Sequence, residues 1–331
     1  MKEKIICLTP YSKTPVPVDY IKQTYGKWIN FDKVELSVIH GGINEDQLPY
    51  EIRDATIINS YGTPRIPLTR LLLENAPNLK LIQQLGVGYD DIDIIAAKEL
   101  GIPVCNTHGS NSSTVAEHTI MMILMLLRKA LYADKTTRKG EWHQVTLGTS
   151  DELRELRDKK LGLIGLGSIG YEVARLAKSF NAEILYYKRN KLPEDMEKAI
   201  NARYVDLKTL IKEADIISLH VPLTPETKNI IGPREIAKMK KDAIIVNTSR
   251  GELIDEIALK EALESRELGG AALDVFNPEP PKELELMQFD RLVVSPHISG
   301  ISQEWLLRAF KLCGENMARV IKGEEPINRV Y

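Results

Sequence analysis

The stretch Leu161-Gly162-Leu163-Ile164-Gly165-Leu166-Gly167-Ser168-Ile169-Gly170 decides the fold, because a short apolar strand passes through three glycines into a helix. In this pattern the first glycine permits a tight turn and the second lets the backbone approach a pyrophosphate. The third allows close packing of helix on strand, and the helix N-terminus faces the negative charge. The stretch predicts a dinucleotide site with the candidate contacts Gly165, Gly167, Ser168, Ile169 and Gly170.

Strand-like and helix-like segments alternate on both sides of this stretch. Before it, short apolar runs lie at residues 5–8, 34–39, 55–59, 79–83 and 102–105. From it onward, six such runs lie at residues 161–164, 183–187, 216–219, 243–246, 271–274 and 292–294. Strands that alternate with helices form parallel sheets through right-handed crossovers. We therefore expect an α/β fold of two doubly wound parallel-sheet domains.

The same alternation predicts the domain boundaries. Residues 106–299 are expected to form a Rossmann dinucleotide-binding domain. This domain would be inserted in a flavodoxin-like substrate domain made of residues 1–105 and 300–331.

Two segments are predicted as long helices. Residues 115–132 follow the N-cap candidates Ser112-Ser113-Thr114 and are apolar around most of the circumference between residues 120 and 127. This pattern fits either a buried core helix or a helix shared by a domain junction and a subunit interface, and a homodimer is predicted. The second segment, residues 306–320, is amphipathic and ends before Gly323.

Length and composition restrict the classes of function. A chain of 331 residues is long enough for two cores. Its 44 Lys and Arg against 46 Asp and Glu give a net charge of −2, so nothing favours a nucleic-acid or membrane-surface role. The apolar runs are too short for a signal peptide or a membrane span. Cys7, Cys105 and Cys313 form no CxxC pair, and we expect a cytoplasmic protein.

Two basic residues, Lys188 and Arg189, follow the predicted strand 183–187. In NAD-binding folds an acidic residue at this place binds the adenosine ribose hydroxyls. A carboxylate would repel a 2′-phosphate, whereas Lys and Arg can form charge-assisted hydrogen bonds with it. The pair favours NADP(H) over NAD(H), and the alternative is a solvated basic loop.

Three candidate catalytic residues, Arg250, Glu279 and His297, follow successive predicted strands, at the sheet edge where a nicotinamide would lie. A guanidinium there can bind a carboxylate and polarise a carbonyl oxygen. Histidine transfers protons near neutral pH, and Glu279 could hold its other ring nitrogen and favour the charged form. The alternatives are a helix-capping arginine and a structural histidine. Beside a dinucleotide site, the trio indicates hydride transfer.

The other histidines show no metal-ligand spacing with cysteine or acidic partners. They are His40, His108, His118, His143 and His220. We interpret them as structural or as supports for the site, and no metal is expected.

Several segments resemble the D-isomer-specific 2-hydroxyacid dehydrogenases, the family of glyoxylate/hydroxypyruvate reductases, phosphoglycerate dehydrogenases and D-lactate dehydrogenases. Besides the glycine loop they are residues 84–90, 115–118, 220–224, 246–251, 273–276 and 296–297. The resemblance covers nearly the whole chain and implies an enzyme that transfers a hydride between NAD(P)H and a small 2-oxo acid or D-2-hydroxy acid. Lys188 replaces the family's usual acidic residue and resembles its NADPH-preferring reductases.

The resemblance also implies roles for single residues. Arg250 would orient the substrate, His297 would be the acid/base, and Glu279 would support His297. Further cofactor contacts would be Pro222, Thr227, Thr248 and Asp274, the last near the nicotinamide carboxamide.

On the substrate side, the resemblance implies that the amides of Val87 and Gly88 cradle a carboxylate. Tyr61, within Ser60-Tyr61-Gly62, would line the pocket wall. For Val87 and Gly88 the alternative is a simple turn before the next helix.

Two other functions are considered. Residues 109–118 and 296–300 also resemble formate dehydrogenases, but those enzymes pair their histidine with glutamine, and Glu279 favours hydroxy-acid chemistry. A dinucleotide-sensing binding protein is the second alternative. Relatives of that kind carry long disordered extensions, which this sequence lacks.

Overall fold

The computed structural model describes residues 2–9, 16–43, 47–61, 66–282 and 285–331. The chain divides into two compact units. The first comprises Met1–Ser110 and Ser302–Tyr331, and the second comprises Asn111–Ile301. Gly62, which the sequence analysis places beside Tyr61, lies outside the described residues.

The regular elements alternate along both units. The strands are β1 (Lys4–Thr9), β2 (Glu35–His40), β3 (Ile57–Ser60), β4 (Leu81–Gln84), β5 (Val104–Cys105), β6 (Lys160–Ile164), β7 (Glu183–Tyr187), β8 (Ala202–Tyr204), β9 (Ile216–Leu219), β10 (Ile244–Asn247), β11 (Gly270–Leu273) and β12 (Leu292–Val294). The helices are α1 (Val18–Tyr25), α2 (Leu48–Glu51), α3 (Arg70–Glu74), α4 (Ile94–Glu99), α5 (Ser112–Leu127), α6 (Ala130–Arg138), α7 (Gln144–Gly148), α8 (Ser168–Ser179), α9 (Glu194–Ile200), α10 (Leu207–Glu213), α11 (Pro233–Ile236), α12 (Glu256–Glu264) and α13 (Gln303–Ile321). Short 3₁₀ helices lie at Gly251–Leu253 and Leu286–Gln288.

The first unit is built on a parallel sheet in the order β2-β1-β3-β4-β5, which is the flavodoxin-like arrangement. Successive residues of β1 point to opposite faces, so Ile5 and Ile6 belong to different apolar clusters. The C-terminal helix α13 packs on β4 and contributes Phe310 and Met317 to one of these clusters. The core therefore covers both faces of the sheet.

The second unit is built on a parallel sheet in the order β12-β11-β10-β9-β6-β7-β8. Counted from β6, this is the order of the Rossmann fold with one more strand at the edge. The order reverses between β6 and β9, which is where such folds bind their ligands. Apolar clusters cover both faces, since Ile216 and Ile217 of β9 belong to different ones. The predicted class, two doubly wound α/β domains, is confirmed.

The second sheet has one strand more than the six that the sequence predicts. The additional strand is β8, which pairs only with β7 at the edge of the sheet. It spans three residues, of which Arg203 and Tyr204 are exposed. A strand this short and polar lacks the buried apolar run from which the others were predicted.

The predicted helix 115–132 is wrong at both ends. Helix α5 begins at Ser112, inside the proposed N-cap cluster, after Asn111, whose side chain makes no capping hydrogen bond. It ends at Leu127, and Lys129 adopts a left-handed backbone with φ 48° before α6 begins. No glycine or proline marks this break. None of the helices in the described part of the chain combines the length and apolar character needed to cross a membrane.

Candidate active site

The three candidate catalytic residues all follow strands of the second sheet. Arg250 lies three residues after the end of β10, His297 lies three residues after the end of β12, and Glu279 lies in the loop after β11. These strands are neighbours in a parallel sheet. Their C-terminal ends, and the three loops, therefore share one edge.

Glu279 and His297 are joined by a hydrogen bond, which is an ion pair when the imidazole is protonated. Glu279 Oε2 lies 2.7 Å from His297 Nδ1, and Glu279 Oε1 accepts a hydrogen bond of 3.1 Å from the Phe276 amide. Partial burial raises the pKa of Glu279, but the bond with His297 and the charges of His297 and Arg250 outweigh this, and the pKa lies below its usual value. A carboxylate at this place stabilises the charged imidazole, leaving Nε2 as the atom that can transfer a proton.

The backbone around Arg250 is fixed by its own loop. The Asn247 side-chain amide donates to Arg250 O at 2.7 Å, and Asn247 Oδ1 accepts from the Ser249 amide at 3.0 Å. Arg250 Nη1 donates to Ser249 O at 2.7 Å, and the side chain is half-buried. A Cβ on Gly251 would lie 2.3 Å from the carbonyl carbon of Phe276, so only glycine permits this approach to the Glu279 loop.

Asp274, the first residue after β11, holds the loop that carries His297. Its buried carboxylate accepts hydrogen bonds from Ser295 Oγ (2.5 Å) and the amides of Ile298 (2.9 Å) and Ser299 (2.8 Å). The His297 amide donates to Asp274 O at 2.8 Å, and His297 adopts a left-handed backbone with φ 54°. The carboxylate that was expected near the nicotinamide thus lies within the loop, at 0% exposure.

Helix α5 contacts two of these loops through adjacent residues. His118 Nε2 lies 3.0 Å from Ser295 Oγ and 3.9 Å from Asp274 Oδ1. Thr119 Oγ1 lies 3.2 Å from Thr248 Oγ1, in the loop before Arg250. No role was predicted for Thr119, and His118 was predicted only as a structural residue or a support for the site. The one sequence signal for His118 is its position in a segment of family resemblance. The contacts themselves give no sequence signal, because they join residues far apart in the chain.

The glycine loop has the geometry that a pyrophosphate requires. Gly165 has φ +96°, and a Cβ on it would lie 2.4 Å from His220 O. A Cβ on Gly170 would lie 2.5 Å from Gly165 O, so these glycines bring α8 close to β6. Gly167 precedes α8 and faces open space, and Ser168 and Ile169 form the first turn of that helix. The backbone therefore fits a dinucleotide phosphate at a helix N-terminus.

His220 lies at the end of β9, beside the glycine loop. Its Nε2 lies 2.9 Å from Ser218 Oγ, and its Nδ1 is shielded from solvent with no partner in the described chain. This burial lowers the pKa of His220 to about 3, so the ring is neutral at physiological pH. His220 therefore brings no positive charge to the phosphate site.

The residues predicted to select the cofactor lie after β7. Lys188 is half-buried, whereas Arg189 is exposed. On the other side of β6, Pro222 is exposed, and Thr227 Oγ1 donates to Pro222 O at 2.7 Å and accepts from the Thr224 amide at 2.7 Å. Thr227 thus fixes the turn after β9, in which Pro222 presents its ring at the surface.

In the first unit, Val87 and Gly88 lie in the loop after β4. The Asn106 side-chain amide donates to Val87 O at 2.7 Å, and Thr107 Oγ1 donates to Leu85 O at 2.6 Å. These bonds hold the carbonyl groups of the loop. The amides of Val87 and Gly88 donate to no residue in the described part of the chain. Such a loop can bind an anion through backbone N–H groups.

Tyr61 follows β3 and lies largely in the core of the first unit, at 8% exposure. Its hydroxyl donates to the Tyr25 hydroxyl at 3.0 Å, which in turn donates to Asn59 Oδ1 at 2.9 Å. Burial raises the pKa of Tyr61, which keeps the hydroxyl neutral. The polar end of the side chain is therefore engaged within the unit.

Comparison with known proteins gives the family. A family model described as D-isomer specific 2-hydroxyacid dehydrogenase, NAD binding domain, matches residues 120–299. The chain belongs to this family. The resemblance found in the sequence is thus confirmed, and the chain is an oxidoreductase that uses a nicotinamide dinucleotide.

Similar proteins cover most of the chain. A glyoxylate reductase of Thermococcus litoralis is 43% identical over 262 residues, 78% of this chain and 79% of the relative. A hydroxypyruvate reductase of Thermotoga maritima is 40% identical over 276 residues, 82% of this chain and 87% of the relative. Among solved structures, a glyoxylate reductase from Paecilomyes thermophila is 32% identical with a TM-score of 0.87, and the match covers 100% of this chain and 99% of that one.

Proposed function

We propose that this enzyme reduces a small 2-oxo acid of the glyoxylate or hydroxypyruvate type to the D-2-hydroxy acid. The observation that carries the proposal is the 2.7 Å pair of Glu279 and His297 at the sheet edge that also bears Arg250. The similar glyoxylate and hydroxypyruvate reductases support the same substrate class.

In the proposed reaction a nicotinamide dinucleotide held at the glycine loop would supply the hydride for the carbonyl carbon. The protonated imidazole of His297, hydrogen-bonded to Glu279 at Nδ1, gives the proton at Nε2 to the carbonyl oxygen. The Arg250 guanidinium binds the substrate carboxylate and the same carbonyl oxygen, where negative charge develops. In the reverse direction neutral His297 removes the proton from the alcohol.

The two units divide the binding tasks in this proposal. Residues 106–299 are the dinucleotide-binding domain, and residues 1–105 with 300–331 are the substrate domain. In the substrate domain the amides of Val87 and Gly88 bind the carboxylate. The Asn106 side-chain amide already holds the carbonyl of Val87, which fixes the loop and supports this role for the Val87 amide. Tyr61 contributes through its ring, because its hydroxyl is bonded to Tyr25.

The proposed cofactor is NADP(H) in preference to NAD(H). Gly165, Gly167, Ser168, Ile169 and Gly170 hold the pyrophosphate. Lys188 and Arg189 bind the 2′-phosphate by charge-assisted hydrogen bonds. The remaining proposed cofactor contacts are Pro222, Thr227, Thr248 and Asp274.

For two of these contacts the internal hydrogen bonds favour an indirect role. Thr227 fixes the turn that presents Pro222, and Asp274 holds the loop of His297. Both residues would then shape the cofactor site without forming hydrogen bonds to the cofactor themselves.

We also propose that the protein is a homodimer and lies in the cytoplasm. Helices α5, α6 and α7 and the segment between the last two carry large apolar side chains at the surface. They are Met121, Leu131, Trp142 and Val145, and Trp142 is 77% exposed. A second copy of the chain would cover such side chains. The three cysteines are unpaired and buried, which agrees with a reducing compartment.

The two alternative functions are not favoured. A formate dehydrogenase-like reaction needs no proton at the substrate, whereas Glu279 holds His297 in a form that can donate one. A dinucleotide-sensing protein would have no use for the ion pair.

The test is a panel of acids assayed with both cofactors by cofactor absorbance. We expect turnover of glyoxylate and hydroxypyruvate, less of pyruvate and 2-ketogluconate, higher rates with NADPH than with NADH, and none with formate and NAD⁺. His297→Asn, assayed beside the wild type, should lose turnover and keep cofactor binding. Formate oxidation, or unchanged turnover by His297→Asn, would overturn the proposal.

A further inference from the structure

We propose that His118 and Thr119, adjacent residues of α5, are positioning residues that fix the loops carrying His297 and Arg250. The inference rests on the proposed function, in which these two loops supply the acid and the substrate-binding cation. Helix α5 packs against β10, β11 and β12, so it lies beside the strands from which these loops start. Successive helical residues point about 100° apart, so each can reach a different loop.

The first arm runs from His118 to the loop of His297. Ser295 Oγ donates its single hydrogen to Asp274 at 2.5 Å, so the 3.0 Å contact with His118 must have Nε2–H as the donor. Burial lowers the pKa of His118, partly opposed by Asp274, and this favours a neutral ring, in which the contact with Ser295 places the proton on Nε2. His118 thereby fixes Ser295, and Ser295 fixes the carboxylate.

Asp274 in turn holds the backbone at His297 and at the two residues after it. The Asp274 carboxylate accepts from the amides of Ile298 and Ser299, and the Asp274 backbone carbonyl accepts from the His297 amide. A left-handed backbone at a non-glycine residue persists only where the surroundings enforce it. His297 has that backbone, with φ 54°, so loss of these bonds should let the loop relax away from the Glu279 pair.

The second arm runs from Thr119 to the loop of Arg250. Thr119 Oγ1 donates to Val115 O at 2.8 Å, so towards Thr248 Oγ1, at 3.2 Å, it can only accept. Thr119 is fully buried and Thr248 is 8% exposed, and a buried hydroxyl without a partner is unfavourable. Ser249 Oγ donates to Leu219 O at 2.8 Å, so the loop is fixed at two successive residues before Arg250.

The test uses four substitutions that remove or keep each hydrogen bond. His118→Leu removes the donor, whereas His118→Gln retains an N–H at about the same reach. Thr119→Val removes the acceptor in an equal volume, whereas Thr119→Ser keeps the hydroxyl. Met122→Leu, a volume-conserving change of a fully buried residue in the same helix, is the matched control.

We expect the two arms to separate in steady-state kinetics with glyoxylate and NADPH. His118→Leu should lower kcat by about three- to tenfold with little change in KM, since one hydrogen bond contributes this much. Thr119→Val should raise the KM for the 2-oxo acid by a similar factor, roughly three- to tenfold, with a smaller fall in kcat. His118→Gln and Thr119→Ser should restore most of each loss, and Met122→Leu should match the wild type. Cofactor affinity, followed by fluorescence, should change by less than these factors, because Thr248 and Asp274 are only two of the proposed cofactor contacts.

Other outcomes overturn the proposal. Equal losses in the conservative and non-conservative variants, or the same losses in Met122→Leu, would mean that α5 acts only through packing. Unchanged kinetics in His118→Leu and Thr119→Val would mean that the two loops keep their conformation without the hydrogen bonds to α5. His297→Asn in the same assay keeps the two proposals distinguishable. If it loses turnover while the α5 variants do not, only the positioning role fails, whereas if it retains turnover, the proposed function fails.

Discussion

The loops after β10, β11 and β12 and the loop after β7 lie at the same edge of one sheet, yet they are held very differently. The loops after β11 and β12 are joined by a hydrogen bond from Ser295 to Asp274, and α5 is hydrogen-bonded to the loops after β10 and β12. The loop after β7 presents Lys188 half-buried and Arg189 exposed. The proposed proton transfer and substrate binding therefore depend on loops that hydrogen bonds hold in place, whereas the proposed cofactor preference depends on a few charges near water. Substitutions in the first region should change turnover, whereas substitutions in the second should change the choice of cofactor.

The largest effect is expected for Arg250→Lys. Lysine keeps the charge but loses the planar fork that can bind two oxygens at once. We expect kcat/KM for glyoxylate to fall by about 10²–10³-fold, the usual loss when one preorganised donor to a developing oxyanion is removed. The dissociation constant of NADPH should be unchanged. The exposed Arg234→Lys, on α11, is the control and should behave as the wild type.

A lysine variant with wild-type kcat/KM would remove Arg250 from substrate binding. The loop after β10 would then hold no catalytic cation.

The next largest effect is expected in the region after β7. Lys188→Asp removes a partner of the 2′-phosphate, adds repulsion, and offers the ribose hydroxyls an acceptor. A hydrogen bond to a charged group contributes about 1.5–3 kcal/mol, so the NADPH-to-NADH ratio of kcat/KM should fall by roughly ten- to several-hundredfold. Most of the change should lie in the KM of NADPH, measured by cofactor absorbance.

The exposed Lys238→Asp has the same change in net charge and should leave the ratio unaltered. If the wild type uses both cofactors equally and Lys188→Asp shifts nothing, the loop points into solvent and the preference for NADP(H) must be abandoned.

The parts of this molecule that depend on chain order were predictable from the sequence. Parallel strands end at one edge, so a residue placed shortly after a strand has a known position, and Arg250, Glu279 and His297 needed no more than that. Gly165 was predictable for a related reason. Only glycine tolerates both its φ of +96° and the backbone of His220 beside it.

The contacts that hold the site were not predictable, because they join residues distant in the chain. His118 and Ser295 are 177 residues apart, and Thr119 and Thr248 are 129 apart. No spacing rule links such pairs, and each residue alone is an ordinary helical or loop residue. The break after α5 was missed for a different reason, since Lys129 takes a left-handed backbone without the glycine that usually marks one.

A smaller effect is expected for Glu279→Gln, which keeps a hydrogen bond to His297 but removes the charge. The lowered pKa of Glu279 keeps it ionised at neutral pH, so the pair's contribution is present there and is lost as the pH falls through that value. Reduction requires a protonated imidazole, and without the carboxylate the midpoint of its pH–rate profile should move to lower pH. At mildly alkaline pH the rate should fall by up to about fivefold, since a partly exposed ion pair contributes up to about 1 kcal/mol.

Glu267→Gln, at an exposed site, is the matched control. Identical pH–rate profiles for the wild type and Glu279→Gln would show that the 2.7 Å pair plays no part in proton transfer.

The smallest expected effect belongs to Glu226, in the turn after β9, and it tests whether the exposed region behaves as separate charges near water. A hydrogen bond with Thr224, its own backbone amide and the charge of Arg189 hold the pKa of Glu226 below its usual value, so it is ionised at neutral pH. Its negative charge opposes that of Arg189 where a 2′-phosphate would approach. Glu226→Gln should therefore lower the KM of NADPH by about twofold, the size typical of exposed charge pairs, and leave that of NADH unchanged. The gain should vanish at high salt, because exposed charges are screened there. A loss of NADPH affinity, or a gain that persists at high salt, would mean that Glu226 is held in place by its neighbours, as the loops after β10 to β12 are.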